Sequence, residues 1–221
     1  ALKKAFLSIP AERAVAQALK AYDGASVPAK AAIIEILGQR GAGEHAGIVL
    51  AAAANEDENI RKKALSALEA VVREEDLPQT ILLLQEAVEP AAIVSLQNAL
   101  AASARQVMDP EKRADLIIEN MEKAQGQKRI NLLRPLRRIG GEKALRAVVA
   151  ETQSVDPQVR SVAIHTLANW SESQAADELL GIARDENSAV IRKFVTIALQ
   201  GYTRLVAESD SPAEHTLAFV R

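Results

Sequence analysis

The sequence predicts an all-α fold, an α-solenoid in which antiparallel helix pairs stack one on the next. Apolar residues recur at three- and four-residue spacing along most of the chain, the mark of helices with one buried stripe. One sequence frame returns several times at a nearly constant step, as stacked supersecondary units require. Composition agrees: 221 residues that are 48% apolar but only 3% aromatic suit close helix packing rather than a sheet. No segment shows the two-residue alternation of a half-buried strand.

The clearest unit runs from 156 to 185. Asp156 before Pro157 is a helix start, because the carboxylate accepts the free amides of the first turn and proline, which has no amide hydrogen, is harmless there. Val159, Ala163, Thr166, Leu167 and Trp170 then form one stripe. Ser171 and Gln174 read as a capping box opening a second helix, with Ala175, Ala176, Leu179, Leu180, Ile182 and Ala183 as its apolar set. Two helices joined by so short a turn pack antiparallel, and each keeps an apolar flank its partner cannot hide. Further copies must stack on them.

The copies are present. Anchored on Arg160, with a small or apolar residue three places on and Leu seven places on, the frame fits Lys30/Ile33/Leu37, Arg61/Ala64/Leu68, Arg129/Leu132/Leu136 and Arg192/Val195/Leu199. A degenerate copy sits at Ile93/Leu96/Leu100, and the anchors step by 31, 32, 36, 31 and 32 residues. DPQVR at 156–160 and DENIR at 57–61 carry a family likeness. The chain resembles HEAT repeats, particularly the short bacterial kind whose first helix opens Asp-x-x-Val-Arg; IR at 191–192 matches partly and residues 91–94 do not. The resemblance covers nearly the whole chain and implies the solenoid. On function it says little, because such arrays serve as scaffolds, accessory domains and occasionally enzymes. Residues 1–221 are expected to form a single array of about six to seven helix pairs, each touching mainly its neighbours.

From the start, residues 1–9 and the PAERAVAQALKAYDG that follows read as one incomplete repeat, and SPAEHTLAFVR at the other end as a second helix that stops at Arg221. Neither shows the polar outer face of a capping repeat, so a piece of a longer protein is expected. The first full pair is Val27 to Ile36 and Glu44 to Ala54, with Gly38, Gly41 and Gly43 as helix-ending residues. HAGIVLAAAA in its second helix is nearly all small and must be approached closely. Glu58 to Val71 and Pro78 to Val88 follow, with Pro78 in the tolerated first turn. Pro90 to Ala104 has no charge at all; too rich in Ser, Gln and Asn to span a membrane, it is expected to be buried on most sides. Asp109-Pro110 opens a long second helix, EKRADLIIENMEKA, spanned by the 36-residue step. In the next first helix Arg134, Arg137 and Arg138 share one face unless Pro135 breaks it.

Little here carries chemistry. With 27 basic and 29 acidic residues the balance gives no global argument for nucleic acid or an anionic membrane. Cysteine is absent, which removes disulfides and thiolate chemistry and leaves the compartment open. His45, His165 and His215 lie in different repeats without metal-site spacing, and there is no P-loop, dinucleotide fingerprint or nucleophile elbow. No catalytic residue, metal site or cofactor is assigned.

Two sets of charged residues stand out. Asp57, Arg61, Asp156, Arg160 and Arg192 are assigned to structure: the acid caps its helix, and the base one turn later reaches a neighbouring repeat's cap or carbonyls, forming a ladder along the stack. Between 123 and 146 lie eight basic residues against Glu142 alone. Within this band Arg134, Arg137, Arg138, Lys143 and Arg146 are the candidate partner-binding face, and the competing reading is a solvated face neutralised by acids such as Glu119 and Glu122. Trp170, the only tryptophan, is expected to pack over the turn that ends its helix.

The expected function is a non-enzymatic interaction or scaffold array that binds a protein partner or supports an adjacent domain of the parent chain, with no membrane insertion and no nucleic acid. LANWSESQAADELLGIAR followed by IALQGYTRLV is similar to HEAT arrays of large bacterial extracytoplasmic proteins that carry a carbohydrate-active domain. That similarity implies an accessory role and a periplasmic or secreted setting. The alternative is a polyanion or nucleic-acid binder, or a lyase-type enzyme on a HEAT-like scaffold, since bacterial HEAT-like proteins include phycobilin lyases and alkylated-base DNA glycosylases. One Trp, two Tyr and three Phe are few for the aromatic, base-rich face of the latter.

Overall fold

Helices make up every regular element among the residues that the computed structural model describes, which are 11–170, 175–184, 200–204 and 207. The fold is all-α, a solenoid-like helical repeat, and the chain forms two compact units, Ala1–Met108 and Asp109–Arg221.

The first unit contains α1 (Ala11–Tyr22), α2 (Val27–Arg40), α3 (Ala46–Ala53), α4 (Glu58–Val71), α5 (Leu77–Glu86) and α6 (Pro90–Ala104). The first helices of successive repeats, α2, α4 and α6, pack on one another as a spine, burying Ile34, Leu37, Leu68 and Leu100 completely. A fully buried Leu or Ile contributes about 1.5–3 kcal/mol over an exposed one, so this seam dominates the unit. Each second helix leans on the first helix that follows it: α3 packs on α4 and α5 on α6, while α3 barely touches the α2 that precedes it. The tighter hairpin is therefore second helix, turn, first helix, the reverse of the order in which the sequence frame is read.

The links between α2 and α3 and between α4 and α5 are stitched to the next level. Arg73 donates to Glu44 at 3.2 Å, Ser103 Oγ donates to the Arg73 carbonyl, and Gln106 donates to the Val72 carbonyl at 2.7 Å. The uncharged helix α6 is buried along most of its length, including Ala92, Leu96, Ala99, Leu100, Ala101 and Ala104, with Ala91 and Val94 left outside.

The second unit follows the same rule with α7 (Asp115–Lys123), α8 (Gly126–Leu133), α9 (Leu136–Ile139), α10 (Glu142–Glu151), α11 (Pro157–Ala168) and α12 (Ala175–Arg184). Helix α7 packs on α8, α10 packs on α11, and α8 packs on α11 as the spine.

Several boundaries differ from the sequence reading. Gly38 does not end a helix. It lies inside α2, which runs on to Arg40, and a Cβ there would stand 2.6 Å from the Ala67 Cβ on α4. The helix ends instead at Gly41, left-handed at φ 58°, where the Gly41 and Ala42 amides donate to the Gly38 and Leu37 carbonyls at 3.1 Å each; only glycine adopts that conformation without strain. The expected long helix after Asp109 is shorter: Asp109 caps a 3-10 turn, Pro110–Lys112, and α7 starts at Asp115. Pro135 breaks the first helix that was to carry the arginines, since proline has no amide to donate. Helix α8 ends at Leu133 and α9 is a single turn whose Arg138 and Ile139 amides both donate to the Pro135 carbonyl, at 2.9 and 3.3 Å.

Candidate functional site

Asp57 and Asp156 cap their helices as their position requires. Asp57 Oδ1 accepts the Asn59 and Ile60 amides at 3.0 and 3.1 Å, and Asp156 Oδ1 those of Gln158 and Val159 at 2.8 and 3.4 Å. Two residues earlier, Asn55 Oδ1 and Ser154 Oγ accept the amides of those same aspartates, at 2.9 and 3.3 Å. Arg61 Nη1 then donates to the Asn55 and Glu56 carbonyls at 2.8 and 3.0 Å, and Arg160 donates twice to the Ser154 carbonyl at 3.0 and 2.7 Å. Each guanidinium thus reaches back to the turn that ends the preceding second helix, and clasps together the second helix and the first helix of one tight hairpin. Arg192 lies outside the described residues. Arg61→Ala and Arg160→Ala should each lose about 1–3 kcal/mol of stability with helix content unchanged, the value of charged hydrogen bonds to carbonyls. Urea denaturation checks this, and an unmoved midpoint would make them ordinary surface residues.

Arg129 closes its turn without an aspartate, since Gln125 at the cap makes no side-chain bond. Its Nη1 donates to the Met121 and Ala124 carbonyls at 3.2 and 3.3 Å, while Nε donates to Glu151 Oε2 at 2.9 Å and Nη2 to Glu151 Oε1. Glu151 is buried at the end of α10, so one guanidinium joins the ends of two second helices, α7 and α10. The hydrogen bonds that Arg129 donates to Glu151 hold its pKa above its ordinary value.

Lys30 occupies the same frame position and behaves differently. Ser26, which stands where Asp57 and Asp156 stand in two other copies, makes no side-chain cap bond, and the Lys30 ammonium sits 5.5 Å from the centre of the Tyr22 ring, a cation–π distance. Burial, then the neighbouring Asp23 charge, push the Tyr22 phenol above its usual pKa. Beside this unclasped turn lies a cavity of about 700 Å³. Its floor is Leu19, Val27, Ile48, Ala52 and Ile60, and its polar end is Tyr22, Asp23, Lys30, Asn55 and Asp57. The opening follows from the packing rule: α1 and α3 each lean on the first helix after them, and little packs between the two. The α3 wall is also low, because Gly47 and Ala51 face it; a Cβ added at Gly47 would meet nothing within 4 Å.

Most of the basic band is engaged. Lys143 pairs with Asp115 at 2.8 Å, Arg146 with Glu142 at 3.0 Å and Lys123 with Glu119 at 2.7 Å; Lys128 and Arg138 also have partners. Arg134 and Arg137, both exposed, stand without an ion-pair partner among the described residues. The band thus narrows to two guanidinium groups on either side of Pro135. Trp170 is fully buried just past the end of α11, and its carbonyl accepts from Arg204. Among the described residues no group of three His, Asp or Glu is placed to hold a metal ion, and no helix is long and apolar enough to cross a membrane. His215 lies outside those residues.

No family model matches the chain, and no curated protein does. Among solved structures it is similar to a chain in the complex of CpcE and CpcF of phycocyanin lyase from Nostoc sp. PCC7120, with a TM-score of 0.43 and 18% identity over 99% of this chain and 85% of that one. It is also similar to a designed armadillo repeat protein, with a TM-score of 0.40 and 14% identity over 84% of this chain and 98% of that one. Human deoxyhypusine hydroxylase gives 0.35 and 15%, over 86% and 85%. The helices and their packing make the chain an all-α helical repeat protein.

Proposed function

We propose that the chain is a non-enzymatic interaction array that holds a protein partner on the faces of its second helices. The observation that carries this reading is the packing asymmetry: α3 and α5 each bury one side on the following first helix, while Gly47, Ala51 and Leu82 on these helices stay exposed, Leu82 by 61%. Apolar surface left open beside a stacked spine is what an array offers a partner. The signature acids and arginines, by contrast, are occupied with backbone amides and carbonyls.

The immobilised chain should retain a protein from an extract even at about 1 M salt, where charge is screened beyond about 3 Å, and Leu82→Glu should release it without lowering the melting temperature. Retention of polyanions alone, at low salt only, would overturn the reading and favour binding through Arg134 and Arg137. On a heparin column the wild type is expected to elute early, and Arg134→Glu with Arg137→Glu should shift it little, because two exposed cations give a shallow salt dependence.

A further inference from the structure

We propose that the cavity between α1 and α3 is a receptor for a short extended peptide, taking one apolar side chain on its floor and the adjoining main-chain amides at its polar end. The proposal rests on the interaction-array reading and gives it a seat. A volume of about 700 Å³ falls within the roughly 300–1,000 Å³ of sites that enclose ligands. Its floor presents apolar groups to the opening: Val27 is 40% exposed, and Ile48 is half-buried.

The polar end selects the ligand class. Lys30 and the Asn55 amide nitrogen donate, and Asp23 accepts; Asn55 Oδ1 is already taken by the Asp57 amide, and Asp57 Oδ1 by the amides it caps. A lone anion would face Asp23 and Asp57, and a lone cation would face Lys30. A peptide main chain brings a donor and an acceptor side by side and no net charge, so it satisfies both signs. The departure from the frame falls at the same place. Where Arg61 and Arg160 close their turns, Lys30 reaches no backbone carbonyl among the described residues and Ser26 does not cap, and breaks in a local rule concentrate at functional sites.

The test uses the whole chain and a phage-displayed library of random linear peptides. Selection should enrich sequences sharing one apolar residue. A synthetic copy, followed by fluorescence anisotropy, should bind Gly47→Phe and Ala51→Phe at least about tenfold more weakly than wild type, because either ring fills the cavity from the α3 wall. Far-ultraviolet circular dichroism should match wild type, and if Gly47→Phe fails to fold, Ala51→Phe carries the test. Lys30→Met should weaken binding less than either plug. Peptides that bind both variants as well as wild type, or no enrichment over bare support, would overturn the proposal. A chain that still loses its captured partner on Leu82→Glu but binds no peptide here keeps the array reading and loses this seat.

Discussion

Replacing Arg129 with Met should lower stability by up to about 3–5 kcal/mol, the full loss when one partner of a buried ion pair is removed, less the share that water supplies because the Arg129 side chain is 26% exposed. The Glu151 side chain is only 7% exposed, so the carboxylate would be left buried with no counter-charge. The Met121 and Ala124 carbonyls would lose their donor at the same time. Adding Glu151→Leu to that background should recover most of the loss, because an apolar pair of similar volume is close to neutral. Urea denaturation of the two single variants and the double gives the cycle. A loss below about 1 kcal/mol for Arg129→Met would mean that the pair behaves as a solvated surface bridge.

Gly38→Ala should destabilise by about 1–3 kcal/mol, although alanine is the better helix former by about 1 kcal/mol. The added methyl would stand 2.6 Å from the Ala67 Cβ and 3.0 Å from its Cα, so α2 and α4 would have to separate along the seam that holds the unit together. Gly47→Ala makes the same chemical change in open space and should raise stability by up to about 1 kcal/mol. Combining Gly38→Ala with Ala67→Gly returns the methyl-free contact from the other side and should restore part of the loss. Melting temperatures decide it: the same sign at both glycines would rule out a close α2–α4 crossing.

Local signals in the sequence located the helices whose ends are written in residue chemistry. Asp57 and Asp156 mark the starts of α4 and α11, and the uncharged run marks α6 along its whole length. Gly38 reads as a helix end because a glycine that ends a helix and one that admits a neighbouring backbone look alike in sequence, and the residue it makes room for, Ala67, is distant in the chain. The helix after Asp109 is shorter than its sequence suggests because the Asp109 cap serves a 3-10 turn, and three-residue spacing suits such a turn as well as an α-helix. The Arg129–Glu151 pair depends on how α10 is rotated, which no local pattern specifies. The cavity was invisible for a different reason: it arises where α1 and α3 fail to pack, and a gap leaves no periodicity to read.

The packing order of the helices also decides where a module of this array begins. A graft or deletion cut at Gly41 carries α3 and α4 together, with their shared interface and the Arg61 clasp intact. A cut made at Asp57, where the sequence frame starts, would part those two helices and strand Arg61 from the carbonyls it holds. The joint for lengthening or shortening the array is therefore the link after each first helix, marked by Gly41 after α2 and by Gly140 and Gly141 after α9, and modules exchanged there should remain self-contained.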